Sequence, residues 1–266
     1  MLEARNLSVT IERKPIVEGV DFSARAGEVT AIVGPNGSGK STFLKALCRD
    51  LPYSGAVFLN GRNLEDLKPY QVATMRAVLP QASVLTFPFT VHEVVRMGLT
   101  MGVSGADMRA QALLPGEALK RVDLEGFGGR MYQSLSGGEQ QRVQLARVLC
   151  QVWQPVLDGV PRFLLLDEPV SSLDVKHQLL IMDIARAFAR DGGGVVAILH
   201  DLNLAALYAD KVMALRKGRS AAFGAPMDVL DRALIRDVFD CDLDTLDRPG
   251  GGRIFAPPAP WARVPA

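Results

Sequence analysis

The sequence has no uncharged apolar run approaching the roughly 18 residues that a membrane-spanning helix requires. Its densest apolar stretches are Phe163-Leu164-Leu165-Leu166 and Val195-Val196-Ala197-Ile198-Leu199, and both end in polar residues, as buried strands do. The chain is therefore expected not to be an integral membrane protein. Charge of one sign is missing too: 30 basic residues against 29 acidic ones leave a net charge of +1. That balance supplies no general drive toward nucleic acid or anionic lipid. Cysteine is scarce. Cys48, Cys150 and Cys241 are far apart, odd in number and without metal-ligand spacing, which argues against a disulfide framework or a zinc site and for reduced thiols. The start, Met1-Leu2-Glu3-Ala4-Arg5, places an acid early and lacks the apolar core of a secretory signal, so a cytoplasmic location is expected. Long repeats and sustained heptads are absent. What is present is a chain of 266 residues, 48% hydrophobic and 22% charged, the profile of a folded globular protein.

Along the chain, strand-like and helix-like stretches alternate. Leu7, Val9 and Ile11 alternate with polar partners, and further strands are expected at Ile16–Phe22 and Glu28–Val33. The last of these leads into a glycine-rich turn and a helix containing Phe43, Leu44 and Leu47. From about Thr90 to Leu149 helical spacing dominates, opened by Thr90 and Glu93 as a capping box. After Arg162 the alternation returns and continues to about Phe223. This order describes a parallel α/β core with a helical insertion. Four prolines in the last eleven residues suit a poorly ordered tail.

The turn reads Gly34-Pro35-Asn36-Gly37-Ser38-Gly39-Lys40-Ser41-Thr42 and fits the phosphate-binding loop, with a strand before it and a helix after it. Glycines let successive N–H groups face phosphate oxygens, and the helix start adds positive dipole. Lys40 can reach the β and γ phosphates, and the Ser41 hydroxyl can take a Mg²⁺ position. A chance match in such a chain is on the order of 1%. Further on, four apolar residues precede Asp167-Glu168-Pro169, which places two acids at the carboxyl end of a central strand, where α/β ligand sites lie. Asp167 suits Mg²⁺ held through water, and Glu168 can polarise an attacking water. Between the two motifs lies Leu135-Ser136-Gly137-Gly138-Glu139, where Ser136 and Glu139 form a capping box at a second helix start suited to an anion.

This Leu-Ser-Gly-Gly segment, placed ahead of the aspartate-glutamate strand, resembles the hallmark of the ATP-binding cassette family. The resemblance runs from Leu2 to about Phe255. It implies a P-loop NTPase core with a mostly parallel sheet, an N-terminal antiparallel β subdomain and a helical insertion. It also implies one ATPase domain over residues 1–255, with a helical subdomain at about 90–150 and a tail at 256–266. In that family two cassettes dimerise head to tail, each ATP lying between one phosphate loop and the other chain's Ser136 segment. Gln81 resembles the glutamine that contacts Mg²⁺ and the attacking water. Ser171-Ser172-Leu173-Asp174 resembles the loop crossing the dimer seam, with Ser172 where alanine is more usual. His200 resembles the histidine that contacts the γ-phosphate. Where relatives stack an aromatic on adenine, this chain has Ile11, so weak base selectivity is expected.

A single cassette without a membrane span looks like a bacterial importer subunit. The implied partners are a second ATPase copy, two transmembrane permease subunits and, indirectly, a periplasmic binding protein, with no nucleic acid. The implied place is the cytoplasmic face of the inner membrane. The segments Arg76–Gln81, Phe87–Val91, Glu93–Gly98, Trp153–Arg162 and His200–Ala206 resemble the haemin-import ATPases, and ferric-siderophore and cobalamin ATPases share much of that pattern. His92 and Met97 are read as belonging to the permease-facing helix and not as haem ligands.

Overall fold

In a computed structural model of the chain, residues 1–81, 85–99, 108–248 and 252–258 are described; of the expected tail, residues 259–266 lie outside them. The chain begins with β1 (Leu2–Ile11), β2 (Lys14–Ala24) and β3 (Val29–Val33), then α1 (Lys40–Leu47), β4 (Ser54–Leu59) and β5 (Arg62–Asn63). Next come α2 (Pro69–Met75), β6 (Arg76–Leu79), α3 (Val91–Arg96), α4 (Met108–Arg121) and α5 (Gly137–Gln151). The chain continues through β7 (Val156–Leu157), β8 (Val160–Pro161), β9 (Phe163–Asp167), α6 (Val175–Arg190), β10 (Gly194–Ile198) and α7 (Leu202–Tyr208). It closes with β11 (Lys211–Arg216), β12 (Arg219–Gly224), α8 (Pro226–Val229), α9 (Arg232–Phe239), β13 (Asp244–Asp247) and β14 (Arg253–Ala256).

The central sheet has the order β12-β11-β3-β10-β9-β6, parallel except for the β12 edge. Its inner strands Val29–Val33, Phe163–Asp167 and Gly194–Ile198 are buried at every residue. That is why they read as largely apolar runs, interrupted only by Thr30 and closed by Asp167, and not as alternating ones. Both faces are covered. Phe163 and Leu165 pack with Val196, Ile198, α1 and the N-terminal sheet, whereas Leu164 and Leu166 pack with Val195, Ala197 and the helices of the opposite side. Full burial of each such side chain contributes about 1.5–3 kcal/mol.

The N-terminal sheet is antiparallel, in the order β2-β1-β4-β5. The helical stretch opens where expected: Thr90 Oγ1 accepts from the Glu93 N–H, and the Glu93 carboxylate accepts from the Thr90 N–H at 2.7 Å. Three features were not anticipated. The Trp153–Arg162 stretch contains the small hairpin β7–β8. The short strand β6 adds to the sheet edge beside β9. Beyond Phe223 the chain forms α8, α9 and the hairpin β13–β14, which the side chain of Asn203 ties to α7 through both the N–H and the carbonyl of Phe255.

Candidate active site

The sheet delivers its site residues at the carboxyl ends of β3, β9 and β10. After β3, residues 34–39 wrap back over the start of α1. Gly34 has φ +152°, and a Cβ there would meet the Leu215 carbonyl oxygen at 2.2 Å. Gly39 has φ +101° and lies close to the Ile16 carbonyl. Larger residues are thus excluded by β11 and β2, and the loop keeps Pro35, Asn36, Gly37 and Ser38 over the helix start. Lys40 is buried, and its ammonium donates to the carbonyls of Gly34 and Pro35, at 2.9 Å each. Burial pushes its pKa down, against the pull of Glu168 and Asp167. Ser38 Oγ is buried without a partner. A desolvated cation and an orphaned hydroxyl in one loop fit an oxyanion ligand such as phosphate.

Ser41, in the first turn of α1 beside Thr42, donates its hydroxyl to Asp167 Oδ1 at 3.0 Å. Burial raises the Asp167 pKa, opposed by that hydrogen bond. The donors gathered here are all oxygen, the set a hard cation such as Mg²⁺ takes. Glu168, one residue past β9, is a focus of contacts. One carboxylate oxygen accepts from Gln81 Nε2 at 2.8 Å, and the other lies 2.7 Å from His200 Nε2. Its carbonyl accepts from Gln141 Nε2 at 3.0 Å. The chain therefore brings together Lys40, Ser41, Asp167, Glu168, Gln81 and His200 from across 160 residues of sequence, whereas the spacing had shown them only as separate motifs.

A second cluster forms at the head of α5. Ser136 caps the helix: its hydroxyl accepts from the Glu139 N–H at 3.3 Å, and its own N–H donates to the Glu139 carboxylate at 2.8 Å. Gly138 lies against Leu173 and the Ser172 carbonyl. Ser136, Gly137, Gly138, Ser172, Asp174 and His177 line one open groove of about 460 Å³. Asp174 caps α6, accepting from the His177 N–H at 2.9 Å, and these contacts hold its carboxyl below the ordinary range. The His177 ring then spans from Asp174 at 2.8 Å to Asp123 at 3.3 Å. Among the described residues, no hydrogen bond or ion pair joins Ser136, Gly137, Gly138 or Asp174 to the phosphate loop.

The sequence reading missed Gln141, His177 and Asp123. Gln141 is one turn beyond the recognised capping box, but its partner is 27 residues away. Position 177, three after an N-cap aspartate, was the only local sign that His177 has a polar partner. Ile11 ends β1 and is 41% exposed.

A family model described as ABC transporter matches residues 17–171. A hemin import ATP-binding protein HmuV of Mesorhizobium japonicum is 64% identical over 258 residues, covering 97% of this chain and 98% of its own. A protein of the same name from Chelativorans sp. is 57% identical with the same coverage. Among solved structures, the dimeric structure of MJ0796, a bacterial ABC transporter cassette, superposes with a TM-score of 0.73. It is 26% identical and covers 85% of this chain and 99% of that one. Likeness at that level in sequence and in fold, over nearly the full length of each relative, establishes that this chain belongs to the ABC transporter family, as one of its ATP-hydrolysing cassettes.

Proposed function

We propose that the chain is the ATP-hydrolysing motor of a haemin importer, acting as a head-to-tail homodimer beneath two separate permease subunits at the cytoplasmic face of the inner membrane. The observation that carries the motor assignment is the convergence of Gln81 and His200 on the Glu168 carboxylate at the end of β9, beside Asp167 and the phosphate loop. Cargo follows from relatives at 64% and 57% identity that are named for hemin import. No helix among the described residues is long and apolar enough to cross a membrane, so the channel is assigned to other chains. A periplasmic binding protein is engaged only through the permease.

Bound ATP with Mg²⁺ supplies the transferable γ-phosphoryl group and a cation that offsets charge on its oxygens. Ser41 and Asp167, with Gln81, are the residues that would hold the cation. Gly34, Pro35, Asn36, Gly37, Ser38, Gly39 and Thr42 cradle the phosphates through the loop backbone and the start of α1, and Lys40 turns its ammonium to them. Glu168 orients the attacking water and takes its proton. His200 and Gln81 hold that carboxylate and the reacting groups in register. Ser136, Gly137, Gly138 and Asp174 belong to the opposite half-site, because within one chain they face a groove apart from the phosphate loop. Each of two helix starts can serve an anion, and the head-to-tail arrangement lets one ATP use one from each chain. In domain terms, residues 1–255 act as one ATPase unit in which the helices at about 90–150 carry the Ser136 segment.

The deciding experiment is ATPase of the chain reconstituted with its permease and binding protein in liposomes, with haemin, a ferric siderophore or cobalamin as cargo. Haemin-stimulated turnover is expected. Stimulation by the siderophore or cobalamin, with none by haemin, refutes the cargo assignment.

A further inference from the structure

Glu168 adopts a backbone conformation that side chains resist. Its φ of +51° lies in the left-handed region, and such a residue stays there only where its surroundings hold it. The local turn holds it weakly, since the Ser171 N–H reaches the Glu168 carbonyl only at 3.4 Å, and Ser171 Oγ at 3.2 Å. The shortest bond to that carbonyl comes from another element: Gln141 Nε2 of α5, at 3.0 Å. Gln141 is half-buried, and its carboxamide offers neither acid nor base at neutral pH.

We infer that Gln141 is a positioning residue for ATP hydrolysis: its amide, by donating to the Glu168 carbonyl oxygen, holds the left-handed backbone that aims the Glu168 carboxylate at Gln81 and His200. This rests on the assignment of Glu168 as the base. Rotation about φ at residue 168 swings the carboxylate, and a misplacement of about 1 Å costs roughly 10²-fold in rate. The bond also runs along α5. Ser136 caps that helix about 7–8 Å from Gln141, so whatever fixes the Ser136 segment bears on Glu168 through a single rigid turn or two. The other glutamine bonds of α5 do not do this. Gln151 Nε2 donates to the Ala73 and Arg76 carbonyls at the far end of the helix.

The test uses the full chain. Gln141→Met keeps length and volume and removes the donor. Expected is a fall in kcat of about ten- to hundredfold, with KM for ATP and the ATP-induced rise in Tm unchanged. Gln151→Met, which breaks the same kind of bond on the same helix, keeps the parent kcat. In a Glu168→Gln background, adding Gln141→Met changes the residual single-turnover rate less than about twofold. If Gln141→Met fails to fold, Gln141→Glu, equally long and without a donor when ionised, carries the same expectation. Parent-like kcat beside a slow Glu168→Gln overturns this inference alone. So does a full further loss in the Glu168→Gln background, or an equal loss in Gln151→Met. Near-normal turnover in Glu168→Gln overturns the base assignment, and this inference with it.

Discussion

Replacing Glu168 by glutamine separates folding from chemistry, because the amide can keep the contacts of the carboxylate. The carboxylate receives one bond from Gln81 Nε2 at 2.8 Å and one contact from His200 Nε2 at 2.7 Å. A glutamine keeps both geometries: its carbonyl accepts from Gln81, and its amide donates to the imidazole once the ring proton sits on Nδ1. Two charge-assisted bonds become neutral ones, a loss of about 1 kcal/mol each. Against that, the Glu168 side chain is only 14% exposed, so discarding its charge recovers desolvation energy of similar size. The net change in Tm should stay within about 4 °C, since 1 kcal/mol shifts a domain of this size by about 2–4 °C. Turnover behaves otherwise. A positioned general base contributes about 10²- to 10⁴-fold, or about 3–5 kcal/mol of barrier. Phosphate release should therefore fall by at least about 10²-fold, while ATP still raises Tm and drives the chain to a dimer in light scattering. Saturating ATP at a hundred times its Kd should add about 2.7 kcal/mol. Turnover above about a tenth of the parent rate would refute the assignment, because a base contributing so little lies below the range for that chemistry.

Gly34→Ala forces a Cβ to 2.2 Å from the Leu215 carbonyl oxygen at φ +152°; a loss of about 1–3 kcal/mol and no ATP-induced rise in Tm are expected, and a parent-like thermal scan with ATP would refute it. Asn203→Ala removes both bonds to the Phe255 backbone, about 2 kcal/mol of local stability. Hydrogen exchange at Asp244–Asp247 should quicken while the amides of β3, β9 and β10 stay protected; unchanged exchange there would sink the idea that Asn203 anchors the hairpin. Asp174 and Asp123 have depressed pKa values, Asp174 chiefly through the His177 N–H and Asp123 chiefly through Lys176 and then His177. The stability they contribute is therefore present above the unfolded value of about 3.9 and lost as pH falls through their native values. Protection factors at the start of α6, corrected for intrinsic exchange, should fall below about pH 4, and Asp174→Asn combined with Asp123→Asn should erase that step.

What could be read from the sequence depended on whether a residue's partner was local. The phosphate loop was legible because a phosphate cradle needs a fixed order of glycines, lysine and hydroxyl within nine residues. The strands β3, β9 and β10 were legible because burial on both faces leaves mostly apolar residues, Thr30 in β3 and Asp167 at the end of β9 excepted. Both capping boxes, at Thr90 and Ser136, join residues three apart. The strand β6 was not legible, since four residues of the pattern Arg-Ala-Val-Leu gain their strand character only by lying beside β9. The hairpin β13–β14 has short strands, Asp-Thr-Leu-Asp and Arg-Ile-Phe-Ala, with no clear alternation, and Asn203, 52 residues before Phe255, ties it down. Gln141 was passed over, because its partner is a backbone carbonyl and a carbonyl leaves no side-chain signature. Motifs marked the candidate site residues, and long-range bonds decide how those residues are held.

The same division bears on the proposal that one chain carries two unmatched halves of a site. In the proposed reading the start of α1 with Lys40 and the start of α5 with Ser136 each take negative charge, yet the groove at Ser136 is lined by no residue of the phosphate loop. Filling both with anions in a monomer would call for two ligands, and the Ser136 groove, lined by Arg142, Asp174 and His177, is not lined by Lys40, Asp167 or Glu168. A two-fold arrangement resolves this, because an isologous contact that sets the Ser136 segment over the partner's Lys40 must also set the partner's Ser136 segment over this Lys40. Two equivalent sites then form together or not at all, and the energy of closing them is shared. It also accounts for the near-neutral net charge. In the proposed dimer each triphosphate would meet loop N–H groups, two helix starts, one lysine and a divalent cation, and of these only the lysine contributes to the charge of the chain.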